Sequence, residues 1–253
     1  MNWRVVCASE VGTSHTATGT ACEDSCWAQV AATAAGEPFL SLFVADGAGS
    51  ASQGGEGAEI AIQSAAAFVE EKLKTLEFSL NDEVATECVL EIRKAIYAKA
   101  EAQGLKARDF ACTFLGVMSF KLGTLVFQIG DGAVVLDVGE GLHVPVVPMS
   151  GEYANMTHFV TDDDAVSVMV SKSYFGIAQK VAVFSDGLQR LALNMAENTP
   201  HEPFFAGFFK VLAGAAVDQD EQLTNALAQF LRSPAVNERT DDDKTLALAI
   251  LGE

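Results

Sequence analysis

The chain has 253 residues, 49% of them hydrophobic, enough to fill one large core. Its 16 Lys+Arg against 34 Asp+Glu leave a formal charge of -18, without the basic footprint that a phosphate backbone requires, so nucleic acid is excluded as an expected partner. No apolar run approaches the ~18 residues of a membrane span, and no membrane partner is expected.

MNWRVVCASEVG at the N-terminus has neither a charged segment followed by a long apolar one nor a cleavage site, so a cytoplasmic location is expected. Five cysteines without regular spacing fit a reducing compartment better than a disulfide framework.

In chain order, WRVVCASE (3 to 10) reads as a strand, and FLSLFVAD (39 to 46) as a second that ends on an aspartate. A helix follows from Gly57 to about Leu76. The next begins with Asn81 as N-cap, carries Val84, Cys88, Ile92 and Ile96 at four-residue spacing, and ends at Gly104. CTFLGVMSF (112 to 120) and TLVFQIGD (124 to 131) form a predicted hairpin across Gly123, and AVVLDVG (133 to 139) is a further strand. Between Met149 and Phe175 turn formers and three adjacent carboxylates predict a mobile surface flap. KVAVFSDG (180 to 187) is a strand, helices are expected over 203 to 216 and 219 to 232, and DDDKTLALAIL (241 to 251) closes the chain as a strand.

Strands clustered with strands and helices in pairs predict an α+β fold: a central sandwich of two antiparallel sheets flanked by helix pairs, built as a single domain over 1 to 253. Four strand ends carry acids, and antiparallel neighbours would gather them on one rim of a sheet. The acids are Asp46, Asp131, Asp186 and the 241 to 243 run, with Glu23-Asp24 as a further pair. Converging carboxylates repel unless they protonate or bind a cation. An all-oxygen set favours Mg²⁺ or Mn²⁺, and Gly47 lets the backbone approach closely enough for its carbonyl to ligate.

The ordered set CEDS, VADGAG, ACTFLG, IGDGAVVL, VFSDGL and DDKTLALAIL resembles the motifs of the metal-dependent protein phosphatase family (PPM, type 2C), from about Gly12 to Leu251. The resemblance implies two, or with a further ligand three, Mg²⁺ or Mn²⁺ ions and hydrolysis of phosphoserine or phosphothreonine in proteins by a water activated between the metals. Phosphoprotein substrates and a cognate Ser/Thr kinase system are the partners it implies. By the same resemblance Asp46 bridges two metals, Gly47 lends its carbonyl, and Asp186 and Asp242 complete the metal carboxylates. Glu23 and Asp24 hold metal-bound water, Asp24 also counting among the metal ligands, Asp109 is a candidate ligand for a third ion, and Asp131 has a structural role.

Two positions depart from the family pattern. Ala48 stands where some members carry a histidine, and no arginine precedes Glu23-Asp24, where the family places its phosphate-binding one. His15 occupies the corresponding spacing after Gly12 and is the candidate phosphate donor. A binding module without catalysis, or a phosphatase for a small metabolite, are the competing readings.

Overall fold

In the computed structural model, described over residues 2–75, 79–148, 157–216 and 219–252 (of Asp220, the backbone only), the N-terminal third contains β1 (Trp3–Glu10), α1 (Thr13–Thr18), β2 (Asp24–Ala32), β3 (Pro38–Asp46) and α2 (Gly54–Lys72). The middle holds α3 (Asp82–Gln103), β4 (Phe114–Phe120), β5 (Gly123–Ile129), β6 (Ala133–Asp137), α4 (Ala165–Val168) and β7 (Val170–Phe175). After β8 (Lys180–Phe184) come the short α5 (Gln189–Ala192), β9 (Leu193–Asn194) and β10 (Thr199–Pro200), then α6 (Glu202–Gly214), α7 (Asp220–Leu231), α8 (Pro234–Asn237) and β11 (Lys244–Leu251).

The main strands form two sheets, in the orders β2-β3-β4-β5-β7 and β1-β11-β8-β6, antiparallel throughout. Alternate side chains of each strand face opposite sides. On β3, Leu40, Leu42 and Val44 face the second sheet and meet Val183, Ala247 and Ala249, while Phe39, Phe43 and Ala45 face α2 and α3. Both faces of β3 are therefore buried, which explains an apolar run without alternation. The outer face of the second sheet, through Phe184, Leu246 and Leu248, packs on Phe205, Phe209 and Leu231 of α6 and α7. The layers run helix, sheet, sheet, helix, the sandwich expected from the strand clustering.

The helix termini follow their sequence signals. The Asn81 side chain accepts from Val84 N at 3.1 Å, and Gly104 caps α3 with φ 69°. Three differences have physical causes. Helix α2 starts at Gly54 rather than Gly57, since the GGEG glycines form its first turn packed against other backbone: a Cβ on Gly57 would lie 2.0 Å from the Phe110 carbonyl oxygen. Asp24–Ala32 forms an unforeseen strand, half-exposed along nearly its whole length, so its sequence lacks a clean hydrophobic period. Finally, Val170–Phe175, read from sequence as part of the flap, is the edge strand β7 paired to β5, and residues 165–168 form α4. Residues 149–156 of the flap reading lie outside the described residues.

Candidate metal centre

The acidic strand ends meet, but on the shared end of two sheets rather than on one rim. In the first sheet the register places Asp24, opening β2, opposite Asp46, closing β3. In the second, β8 runs into Asp186 and β11 leaves from Asp242 and Asp243, and antiparallel pairing puts those two ends side by side. Asp131 sits where the chain crosses from β5 to β6, between the sheets. Sandwich packing brings the ends together: the charges of Asp24, Asp186, Asp242 and Asp131 all act on Asp46.

Burial followed by this mutual repulsion holds the Asp46 carboxyl well above the usual carboxylate range. Asp24 is pushed up to about 7, chiefly by burial, with Asp243 and Asp186 adding to it and hydrogen bonds from Ser185 and Thr245 opposing it. Asp186 is pushed up to about 6 by burial and by Asp131 and Asp242. Burial also raises Asp242. Among the described residues no lysine or arginine pairs with any of these five carboxylates.

Two buried oxygens, Asp24 Oδ1 and Asp186 Oδ1, have no hydrogen-bond partner. Orphaned acceptors on mutually repelling carboxylates are the signature of a cation site, and an all-oxygen donor set fits a hard divalent ion. The residues present therefore fit Mg²⁺ or Mn²⁺. The tightest trio of ligand types among the described residues lies elsewhere: ligating atoms of His158, Asp162 and Asp164, in the segment before β7, all come within 4.8 Å of one another. No three of the central carboxylates come that close together, and as oxygen donors they suit ions that bind through one or two carboxylates each and keep several waters.

Supporting contacts hold the ring. Ser185 Oγ donates to Asp24 Oδ2 at 2.7 Å, and Thr113 Oγ1 accepts from Asp46 N at 3.1 Å. Gly47 N donates to Glu23 O at 3.1 Å, tying the two acidic motifs together, and a Cβ at Gly47 would lie 2.4 Å from Gly54 C, where α2 begins. Gly187 is equally constrained, since a Cβ there would come 2.0 Å from the Asp243 carbonyl oxygen. Thr157 Oγ1 donates to Asp131 Oδ2 at 2.6 Å, and the Asp131 charge acts on both Asp46 and Asp186.

Asp109 does not join the ring through its contacts. Its Oδ2 accepts from Lys106 N at 2.9 Å and caps its own turn, Ala107–Phe110, the task expected of an acid at such a position.

His15 does reach the acidic end. It lies on α1, a helix too short to leave a pattern in the sequence, with Nδ1 3.0 Å from Asp243 Oδ2 and Nε2 3.9 Å from Glu23 Oε2. Asp243 was missed by sequence reasoning. Only 3% exposed, it accepts from Gly12 N and Glu23 N, both at 2.6 Å, as well as from His15, and so staples the N-terminal loop to the start of β11. Three adjacent aspartates carry no mark of which one turns inward. A Cβ on Gly12 would sit 2.4 Å from the Asp241 carbonyl oxygen, and that close approach is the one available hint.

With this geometry in view, comparison with known proteins is specific. The family model described as Protein phosphatase 2C matches residues 11–232. The curated "Serine/threonine-protein phosphatase 3" of Escherichia coli (strain K12) is 57% identical over 253 residues, covering 100% of both chains. Among solved structures, the catalytic domain of the serine threonine protein phosphatase PstP in complex with two manganese ions superimposes with TM-score 0.66 at 14% identity, covering 99% of each chain. PppA, described as a key regulatory component of the type VI secretion system in Pseudomonas aeruginosa, has TM-score 0.64 at 14% identity, covering 99% of this chain and 98% of its own. Sequence motifs, sandwich, acidic ring and full-length relatedness converge, and the chain belongs to the protein phosphatase 2C family.

Proposed function

We infer that the protein is a divalent-metal-dependent serine/threonine phosphatase in which four carboxylates of this ring would hold two ions. The observation that carries this reading is the pair of orphaned buried oxygens on Asp24 and Asp186 inside a ring without any lysine or arginine partner among the described residues. In this reading Asp46, Asp24, Asp186 and Asp242, with the Gly47 carbonyl, are the residues that would hold the ions. Bound there, the ions would supply charge neutralisation for the phosphoryl oxygens and an acidified water. They would also reverse the local field, so that a chain of net charge -18 receives a phosphate.

The chain's own residues do the rest. Glu23 and Asp24 accept hydrogen bonds from the attacking water and orient it. Ser185 and Thr113 fix the strand ends that carry the ligands, and His15 meets the phosphoryl group at the rim. Asp109, whose Oδ2 caps its own turn, stays the candidate ligand for a third ion, and two ions form the set proposed here. A single domain over the chain, phosphoprotein substrates paired with a Ser/Thr kinase, and a cytoplasmic location complete the reading. For the location, the supporting observation is that among the described residues no helix is long and apolar enough to cross a membrane.

The test is release of inorganic phosphate from a phosphoserine peptide by Mn²⁺-loaded protein. Activity abolished by EDTA and restored by Mn²⁺ supports the reading. A metal-loaded protein that binds the peptide without turnover would instead support the binding-module alternative.

A further inference from the structure

Without help, serine or threonine would leave phosphorus as a strongly basic alkoxide, so its departure needs a proton. The carboxylates of the ring cannot give one while they hold cations, because a ligating carboxylate is ionised. Lys244 beside them is fully buried and spends Nζ on Val11 O at 3.0 Å and Asn237 Oδ1 at 2.8 Å. His143 is engaged with the Tyr174 hydroxyl, and His158 belongs to the trio before β7. Of the residues at the acidic end, His15 remains.

Its setting is that of an oriented acid. Behind the ring, buried Asp243 accepts from Nδ1 and is itself fixed by two backbone N–H groups, which leaves it no freedom to follow another partner. A carboxylate on Nδ1 makes that nitrogen the donor and directs Nε2 outward. The ring is 22% exposed, and Nε2 has no hydrogen-bond partner among the described residues, with Glu23 Oε2 3.9 Å away. On its other side His15 is close enough for its charge to act on Asp242. The imidazole thus stands between two acidic motifs, held from behind, with its outer nitrogen unspent.

We propose that His15, as its imidazolium with Nδ1–H held by Asp243 and the second proton on Nε2, is the general acid of this phosphatase, its Nε2–H serving the ester oxygen of the substrate, and that Asp243 is the positioning residue that aims it. The inference rests on the phosphatase reading above and names which phosphoryl oxygen His15 meets. As the oxygen of the attacking water bonds to phosphorus, the phosphorus–ester oxygen bond breaks. The leaving oxygen takes its electron pair and the Nε2 proton and departs as the serine or threonine hydroxyl. Nε2 retains the electron pair of the broken N–H bond, leaving a neutral imidazole that is reprotonated from solvent, while Nδ1 keeps its proton and its hydrogen bond to Asp243 throughout.

Leaving-group dependence tests this directly. p-Nitrophenolate is a stabilised anion that departs without a proton, whereas serine does not, and general acid catalysis contributes roughly 10²- to 10⁴-fold. In Mn²⁺-loaded protein, His15→Gln is expected to lower kcat on a phosphoserine peptide about 100-fold or more and p-nitrophenyl phosphate turnover by at least about tenfold less than that, with phenyl phosphate between them. Asp243→Asn is expected to show the same selectivity at smaller size. Because Asp243 also staples the loop, His15→Gln is the deciding variant, with unchanged Mn²⁺ affinity by calorimetry as its fold control. An equal loss on all three substrates would assign His15 to holding phosphate and overturn the proposal, as would no loss on any. A metal-loaded wild type inactive on every substrate would overturn the phosphatase reading itself, and this inference with it.

Discussion

Removing the metals should make the protein's stability depend on pH in the direction opposite to that of an ordinary acidic chain with paired carboxylates. Asp24 is displaced from 3.8 to about 7 and Asp186 from 3.8 to about 6. Both folded-state values are raised, so these groups contribute stability that is fully present below the unfolded value and lost as pH rises through about 6 and then about 7. Between about pH 5.5 and about pH 8 the unfolded carboxyls stay ionised while the folded ones lose their protons. Linkage then gives a loss of about 2 kcal/mol through Asp24 and about 1 kcal/mol through Asp186, together about 2 to 3 kcal/mol. For a chain of this size that corresponds to a melting temperature lower by roughly 5 to 10 °C at the higher pH. Scanning calorimetry of EDTA-treated protein at the two pH values reads it, and saturating Mn²⁺ should raise the melting temperature more at the higher pH, where the ring is ionised. Chelated protein that is equally or more stable at about pH 8 than at about pH 5.5 would refute the repulsive-ring argument.

Other perturbations separate the roles assigned here. Gly187→Ala places a Cβ 2.0 Å from the Asp243 carbonyl oxygen, so the turn carrying Asp186 must move; a cost of about 1 to 3 kcal/mol by urea unfolding is expected, with Mn²⁺ affinity falling at least about tenfold by calorimetry. Asp109→Ala should lose about 1 kcal/mol as a turn cap and leave the number of bound Mn²⁺ ions unchanged, and a stoichiometry lower by one ion would return Asp109 to the ligands. Phe43, fully buried between the first sheet and the α2–α3 layer, should cost about 3 to 5 kcal/mol on truncation to alanine, and a cost below about 1 kcal/mol in chemical denaturation would contradict the layer assignment.

How much of this was legible in the sequence follows from where each element lies. Strands buried on both faces, such as β3 and β5, announced themselves as apolar runs, and α3 was marked at both ends by Asn81 and Gly104. The two edge strands of the first sheet were not legible. Nearly all of β2 is half-exposed, and β7, with Lys172 and Ser173 exposed and Tyr174 the one side chain set against the core, reads like a loop because it carries no apolar run. At the site, ligand-type acids were visible because each interrupts an apolar run at a strand end. Which sheet each run joined was not, so one rim was expected where two sheets meet. Asp243 and Ser185 act through hydrogen bonds to residues far along the chain, Gly12 at the other end of the sequence and Asp24 in the facing sheet, and no local pattern encodes such pairings. Asp109 shows the converse, a motif neighbour with one carboxylate oxygen held locally by its own turn.

The shared-metal reading stands or falls most directly on Asp46→Asn, measured beside the wild type on a phosphoserine peptide with saturating Mn²⁺. Asp46 lies where the charges of four other aspartates converge, so losing its carboxylate should remove shared metal binding and turnover together while relieving repulsion in the chelated protein. The expected result is Mn²⁺-dependent phosphate release by the wild type, a loss of about 10³-fold or more in the variant, and a variant that, freed of metal, melts no lower than the chelated wild type at about pH 8. A variant that keeps wild-type turnover and Mn²⁺ affinity would contradict a metal pair shared through Asp46.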